Sequence, residues 1–293
     1  MLSIPEIATR LIDKTLTNVP NANENNSRTI FLVGSKSVGK TTLLYSFLEK
    51  IDPPRETLVV EYSFGRKSNQ KQGIDKTLCH IWEYGGKLET LNSVLLSTPI
   101  RGKYFFCVMV DLSKIKGIWG TLETCFQTMK DIYSTPESLP ELIIICGKYD
   151  NFKNYDSEIK KFICTTLRSF ALLNHAHLLF YSSKEPQLLR RAKDMLSNIA
   201  FGNCVPIKEK NTNYNKPLFI PKGSDNWESI GVTPSTIEQV KIRHISRIPP
   251  NAVTSDSVSN TSTSAQLHAH PEAALDSLVA LKYNELRNME SLD

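Results

Sequence analysis

No apolar run in this sequence approaches the roughly 20 residues that a helix needs to cross a bilayer, so a membrane-spanning segment is not expected. The N-terminus, MLSIPEIATRLIDKT, lacks a basic stretch followed by a long apolar one, which argues against a secretory signal. No glycine follows Met1, and the end reads Glu290-Ser291-Leu292-Asp293 without a prenylation motif, so no lipid anchor is expected. Cysteine is sparse, with six residues at 79, 107, 125, 146, 164 and 204, and no pair is spaced C-x-x-C. Buried, reduced thiols are the expected state. No hydrolase triad, carboxylate pair or internal repeat stands out. The pairs His175–His177 and His268–His270 lack nearby ligands at metal spacing. A net charge of +5 over 293 residues is too small to imply nucleic-acid binding. These absences point to a cytosolic protein.

Apolar residues make up 40% of the chain, enough for a sizeable core. Six strand-like segments follow in order: Thr29–Val33, Leu58–Phe64, Leu78–Trp82, Tyr104–Val110, Leu142–Cys146 and Leu178–Tyr181. The fourth and fifth are continuous apolar runs, as central parallel strands are. Helix-like segments lie between them at Lys40–Ile51, Leu88–Leu96, Trp119–Tyr133, Ser157–Asn174 and Gln187–Ile199. The Pro53-Pro54 pair is expected to stop the first helix. Residues 65–77 are polar, which suits a hairpin between the second and third strands. One antiparallel edge pair on a parallel, helix-flanked sheet is the Ras-like topology.

The expected organisation has five parts. Residues 1–28 hold an amphipathic helix and linker, with Ile7, Leu11 and Ile12 sharing one face as a candidate partner-binding stripe. Residues 29–203 form an α/β G domain with a six-stranded, mostly parallel sheet and helices on both faces. Residues 204–250 read as an irregular basic extension, 251–270 as a disordered Ser/Thr-rich linker, and 271–293 as a C-terminal helix.

The chemistry concentrates at Gly34-Ser35-Lys36-Ser37-Val38-Gly39-Lys40-Thr41, followed by Thr42. This G-x-x-x-x-G-K-T stretch follows a strand and opens a helix, the setting in which backbone amides and a helix N-terminus cradle phosphates. Lys40 would reach the β- and γ-phosphates, and the Thr41 hydroxyl would hold Mg²⁺. Lys148 and Asp150 follow the fifth strand as G-K-Y-D, where Ras-like proteins carry N/T-K-x-D and the Asp accepts from guanine; Gly147 replaces the Asn. Ser182, Ser183 and Lys184 follow the sixth strand, where an S-A-K loop supports guanine. Glu83 stands in place of the Mg²⁺-holding Asp of D-x-x-G, with Gly86 as its glycine. Lys87 occupies the position of the water-orienting Gln. Ras-like hydrolysis is only roughly 10⁻⁴ s⁻¹ unaided, so negligible turnover is expected. Thr57 lies where a switch threonine could sit.

Longer strings carry a more specific likeness. FLVGSKSVGKTTL at 31–43, PPRETLVVEYSFGR at 53–66, HIWEYGG at 80–86, DLSK at 111–114, GKYDNF at 147–152, ICTTLR at 163–168, NKPLFI at 215–220 and LHAHP at 267–271 resemble the light intermediate chains of cytoplasmic dynein 2. The resemblance implies a non-catalytic subunit that binds the dynein 2 heavy-chain tail and other dynein 2 subunits. It implies an indirect link to intraflagellar transport trains, and residence in the cytoplasm, the cytoskeleton and the cilium. GDP or GTP with Mg²⁺ is the expected cofactor, the alternative being a loop that kept its shape but binds none; no nucleic acid and no membrane insertion are expected. Two other readings stay open: a nucleotide-switched small GTPase that recruits effectors, and a P-loop ATPase or kinase.

Overall fold

In the computed structural model, residues 27–68, 76–133, 139–202 and 209–249 are described, together with residues 279, 281 and 282. The chain divides into two compact units, Met1–Asn251 and Ala252–Asp293. In the second unit the described residues are helical and exposed. The N-terminal helix with Ile7, Leu11 and Ile12, and the linker at 251–270, lie outside the described residues. Among the described residues, no helix is long and apolar enough to cross a membrane.

The first unit is built on one sheet. Its strands are β1 (Ser27–Gly34), β2 (Val60–Ser68), β3 (Lys76–Tyr84), β4 (Lys103–Asp111), β5 (Glu141–Gly147), β6 (His177–Phe180) and β7 (Phe219–Ile220), in the order β2-β3-β1-β4-β5-β6-β7. The β2–β3 and β6–β7 pairs are antiparallel and the rest are parallel. From Tyr104 onward every residue of β4 is buried. That explains its unbroken apolar run: helices cover both faces, so neither face can be polar.

The helices are α1 (Lys40–Phe47), α2 (Leu91–Ser97), α3 (Ile118–Ile132), α4 (Tyr149–Phe152), α5 (Ser157–Leu173), α6 (Pro186–Phe201), α7 (Trp227–Ile230) and α8 (Ile237–Arg247). Two cores result. One packs Phe31, Tyr84, Phe106, Trp119, Phe126, Phe152 and Phe170 with the buried stripes of α3 and α5. The other packs Ile30, Leu32, Ile81, Phe105, Met109 and Ile145 with α1 and α6. The α3 stripe, Ile118, Leu122, Cys125, Phe126 and Met129, repeats at helical spacing. Cys79, Cys107, Cys125, Cys146 and Cys164 are free and buried. Burial pushes the Cys79, Cys125 and Cys164 thiols up to about 12, so they stay protonated and inert.

Three expectations need correction. The sheet has seven strands, not six. α1 ends at Phe47, well before Pro53-Pro54, because Glu49 turns to φ 55° and the Lys50 amide closes onto Tyr45 O. The described part of the segment 204–250, residues 209–249, is not irregular: it supplies β7, α7 and α8 and packs onto the G domain. Arg168 of α5 anchors it. Its guanidinium, buried with the Asp225 carboxylate, makes two 2.8 Å bonds to that carboxylate and a third to the hydroxyl of Ser229 at the surface. A Thr236–Gln239 capping box opens α8. His177 completes the seam. It receives the Lys222 amide at Nδ1, so Nε2–H donates to Glu141, tying β6 to β5 and to the end of β7. With both ring nitrogens engaged, it is no metal ligand.

Candidate nucleotide site

β1 delivers the chain to the phosphate loop, and the loop takes three left-handed turns, at Gly34 (φ 141°), Ser37 (φ 58°) and Gly39 (φ 102°). The Ser35 amide is held by Met109 O of β4 at 2.9 Å. Lys40, at the start of α1, is buried and donates to Gly34 O (3.2 Å) and Ser35 O (3.0 Å). Burial pulls its pKa down, against the opposing attraction of Glu83. An ammonium stripped of water and held only by neutral carbonyls is poised for an anion.

A cavity of about 260 Å³ opens over this loop. Its walls are Lys36–Thr42, Pro54–Thr57, Glu83 and Gly85. At one side the Thr41 hydroxyl donates to Glu83 at 2.6 Å. Burial pushes the Glu83 carboxyl up, against the pull of Thr41 and Lys40. Beside them Thr57 is buried; its Oγ1 falls short of hydrogen-bond geometry but lies near enough to Glu83 to help pull that carboxyl's pKa down. Close packing fixes it there: a Cβ on Gly85 would lie 1.8 Å from Thr57 O, and the Gly85 amide donates to Val59 O. Two hydroxyls that converge on one carboxylate beside a cavity are hard oxygen donors. They fit Mg²⁺ beside a phosphate. Lys36 and Glu56 pair at 3.3 Å on the exposed flank.

The residues expected to read a base gather in the adjoining loops. The Asp150 carboxylate takes the Ser182 hydroxyl at 2.8 Å on one oxygen and the Lys184 ammonium at 2.8 Å on the other. Burial raises its pKa, but Lys184 and Ser182 outweigh that and hold it below the usual range. The Lys184 side chain is 73% exposed and free to swing aside. Ser183 lies exposed at the turn. Lys148, in a left-handed conformation, donates to the buried Asp111 at 2.9 Å, and Ser113 holds the other Asp111 oxygen. The two halves of the site meet at Gly147. A Cβ there would come within 2.7 Å of Val38 Cγ2 and 3.0 Å of Val38 O. Direct backbone packing thus joins the base loop to the phosphate loop.

The structure brings Lys36–Thr42 and Glu83 together around one cavity, and bonds Asp150 to Ser182 and Lys184 while Lys148 pairs with Asp111. Gly34 and Ser35 serve from below, through their carbonyls to Lys40. Asp111, Arg55, Glu56 and Gly85 were missed as site residues. Asp111 was findable, as the first charge after the apolar β4 run. The others lie on loops whose approach is set by tertiary packing.

No family model matches the chain. Two curated relatives are similar over most of it. A bovine protein named cytoplasmic dynein 2 light intermediate chain 1 is 33% identical over 270 residues, covering 78% of this chain and 75% of its own. Its human counterpart is 34% identical over 243 residues, covering 70% and 68%. Among solved structures, the conserved domain of a dynein light intermediate chain superposes with a TM-score of 0.52 at 13% identity, over 74% of this chain and 88% of that one. That likeness bears on the fold alone, and it agrees with the Ras-like sheet described above. With relatives above 30% identity over more than two thirds of both partners, the chain belongs to the cytoplasmic dynein 2 light intermediate chain family.

Proposed function

We propose that this chain is a non-catalytic subunit of the cytoplasmic dynein 2 motor, serving retrograde intraflagellar transport and cilium assembly by holding the heavy-chain tail. Its G domain is a docking body. The observation that carries this reading is the family relationship across both the G domain and the extension after Phe201. The site adds a second support. Its phosphate loop and Asp150 suit a guanine nucleotide, yet Lys87 follows Gly86 where a water-orienting amide would be needed. Gly34–Thr42 would bind phosphates; Thr41, Thr57 and Glu83 would hold Mg²⁺; Asp150, once Lys184 moves aside, would accept from guanine. Bound in this way, Mg²⁺ would neutralise phosphate charge. Nothing among these residues positions an attacking water, so a retained nucleotide would be structural.

The test is recovery of the dynein 2 heavy chain with the tagged protein from ciliated cells. Its consistent absence at mild salt would refute the subunit role. A nucleotide-switched GTPase is favoured by one observation, the buried Thr57 hydroxyl beside Glu83 in a switch-like position. Such a switch requires partners to bind the GDP and GTP states with different affinity. Equal binding in both states would eliminate it.

A further inference from the structure

The two ends of the sheet are treated differently. At one end β7 is two residues long and is followed at once by a turn, so little backbone is left unpaired. At the other end lies β2, nine residues in unbroken register with β3 from Val60↔Tyr84 to Ser68↔Lys76. Among the described residues nothing pairs with its outer side. Long edges of this kind are usually blunted by proline, a bulge, a covering loop or charged side chains. β2 has no proline and no bulge in its pairing with β3; its charges are Glu61, Arg66 and Lys67.

Its two faces differ in chemistry. One face presents Tyr62 and Phe64, 47% and 61% exposed, stacked on each other at 6.4 Å and continued inward by Trp82 and His80. The opposite face opens into a groove of about 810 Å³ between β2, α1 and α6. Gly65 leaves its floor bare, so that Leu48 and Phe201 form the base. Lys50 and Lys67 stand over it, Lys50 on the Ser63 hydroxyl and over the Tyr45 ring, Lys67 over the Phe201 ring. Neither has a carboxylate partner among the described residues, whereas Lys193 and Arg190 on the same rim pair with Glu49 and Asp194. The groove lining therefore carries a positive excess from Lys50, Arg66 and Lys67, with Glu61 further along the same face of β2.

We propose that the β2 edge is a docking site for one extended segment of a partner protein, added as a further strand and alternating apolar with acidic side chains. Side chains of an added strand point alternately to the two faces. Those on the Tyr62–Phe64 face meet aromatic rings and are apolar. Those between them enter the groove over Gly65 and meet Lys50 and Lys67, so they are Asp or Glu. This surface lies apart from the phosphate loop, and its occupation requires no nucleotide.

The test is selection of a display library of short random peptides on the immobilised full chain. Enriched peptides are expected to alternate aromatic or β-branched residues with Asp or Glu. The best of them, made synthetically, is expected to lose at least tenfold in affinity when alternate backbone amides are N-methylated, because the ladder then fails while the side chains remain. It is expected to lose as much against the Phe64→Ser and Lys67→Glu variants, each checked for an unchanged melting temperature; both positions are at the surface. No enrichment, enriched peptides without acidic alternation, or binding indifferent to N-methylation would each overturn the proposal.

Discussion

Gly147 shows how one missing side chain can hold two loops together. Where Ras-like domains carry Asn, this chain brings backbone against Val38, with no room for a Cβ. Restoring the Asn should therefore harm the site rather than improve it. Gly147→Asn is expected to cost about 1–3 kcal/mol, the usual range for overpacking, read as a lower thermal midpoint. Adding Val38→Ala should recover part of the loss; no recovery would mean that the contact with Val38 is not the cause. Lys40 is the second informative residue. Its ammonium sits on Gly34 O and Ser35 O, at the point where phosphate oxygens would take over. Lys40→Ala is expected to lower co-purified nucleotide at least tenfold, measured by chromatography after denaturation, while heavy-chain recovery is unchanged. Unaltered nucleotide content would show that this loop is not the phosphate site.

At the level of elements, the extension after the G domain depends on a few buried groups. Removing Arg168 would leave buried Asp225 with only the Lys210 ammonium at 3.8 Å, and loss of a buried partner costs up to about 3–5 kcal/mol. Arg168→Ala is thus expected to destabilise strongly in a denaturant titration. Arg168→Met with Asp225→Leu should do much less harm, because no buried charge is then orphaned. His244 makes α8 sensitive to pH. It is buried between Trp119 and Phe162, with neither ring nitrogen bonded. Around it Glu123 pairs with Lys241 and Arg247 with Glu158, and Lys116 lines the same pocket. Burial lowers the His244 pKa in the folded state. The unfolded state therefore binds the proton first, and stability falls as pH drops below the unfolded value of about 6.5. His244→Phe should flatten that part of the stability–pH curve; an unchanged slope would show that another group titrates. The long amphipathic helices and the two central strands were legible in sequence, because burial imposes its period on them. α8 was not, since its buried stripe is only Val240 and His244 on a polar helix. Its Thr236–Gln239 cap was readable and passed over. β7 is too short for any periodicity, and Thr57 and Gly85 meet only through the tertiary fold.

The whole molecule depends on that extension more than its composition suggests. Leu218, Phe219, Ile220, Val240 and Ile248 are all buried, in part against β6, α3 and α5. At roughly 1.5–3 kcal/mol for each fully buried side chain, their gross contribution is on the order of 10 kcal/mol. That is comparable to the entire stability of an ordinary domain, although the entropy of ordering the extension offsets much of it. A chain ending at Gly202 would also bare β6 as an apolar parallel edge, which invites aggregation. Such a truncation is expected to be insoluble or to lose cooperative unfolding. A chain ending at Asn251, where the first compact unit stops, should keep the thermal midpoint of the full chain within a few degrees. Calorimetry and sedimentation of the two truncations decide the matter. If the shorter one unfolds cooperatively at the full-length midpoint, the extension is an appendage, and the buried Arg168–Asp225 pair serves a partner rather than the fold.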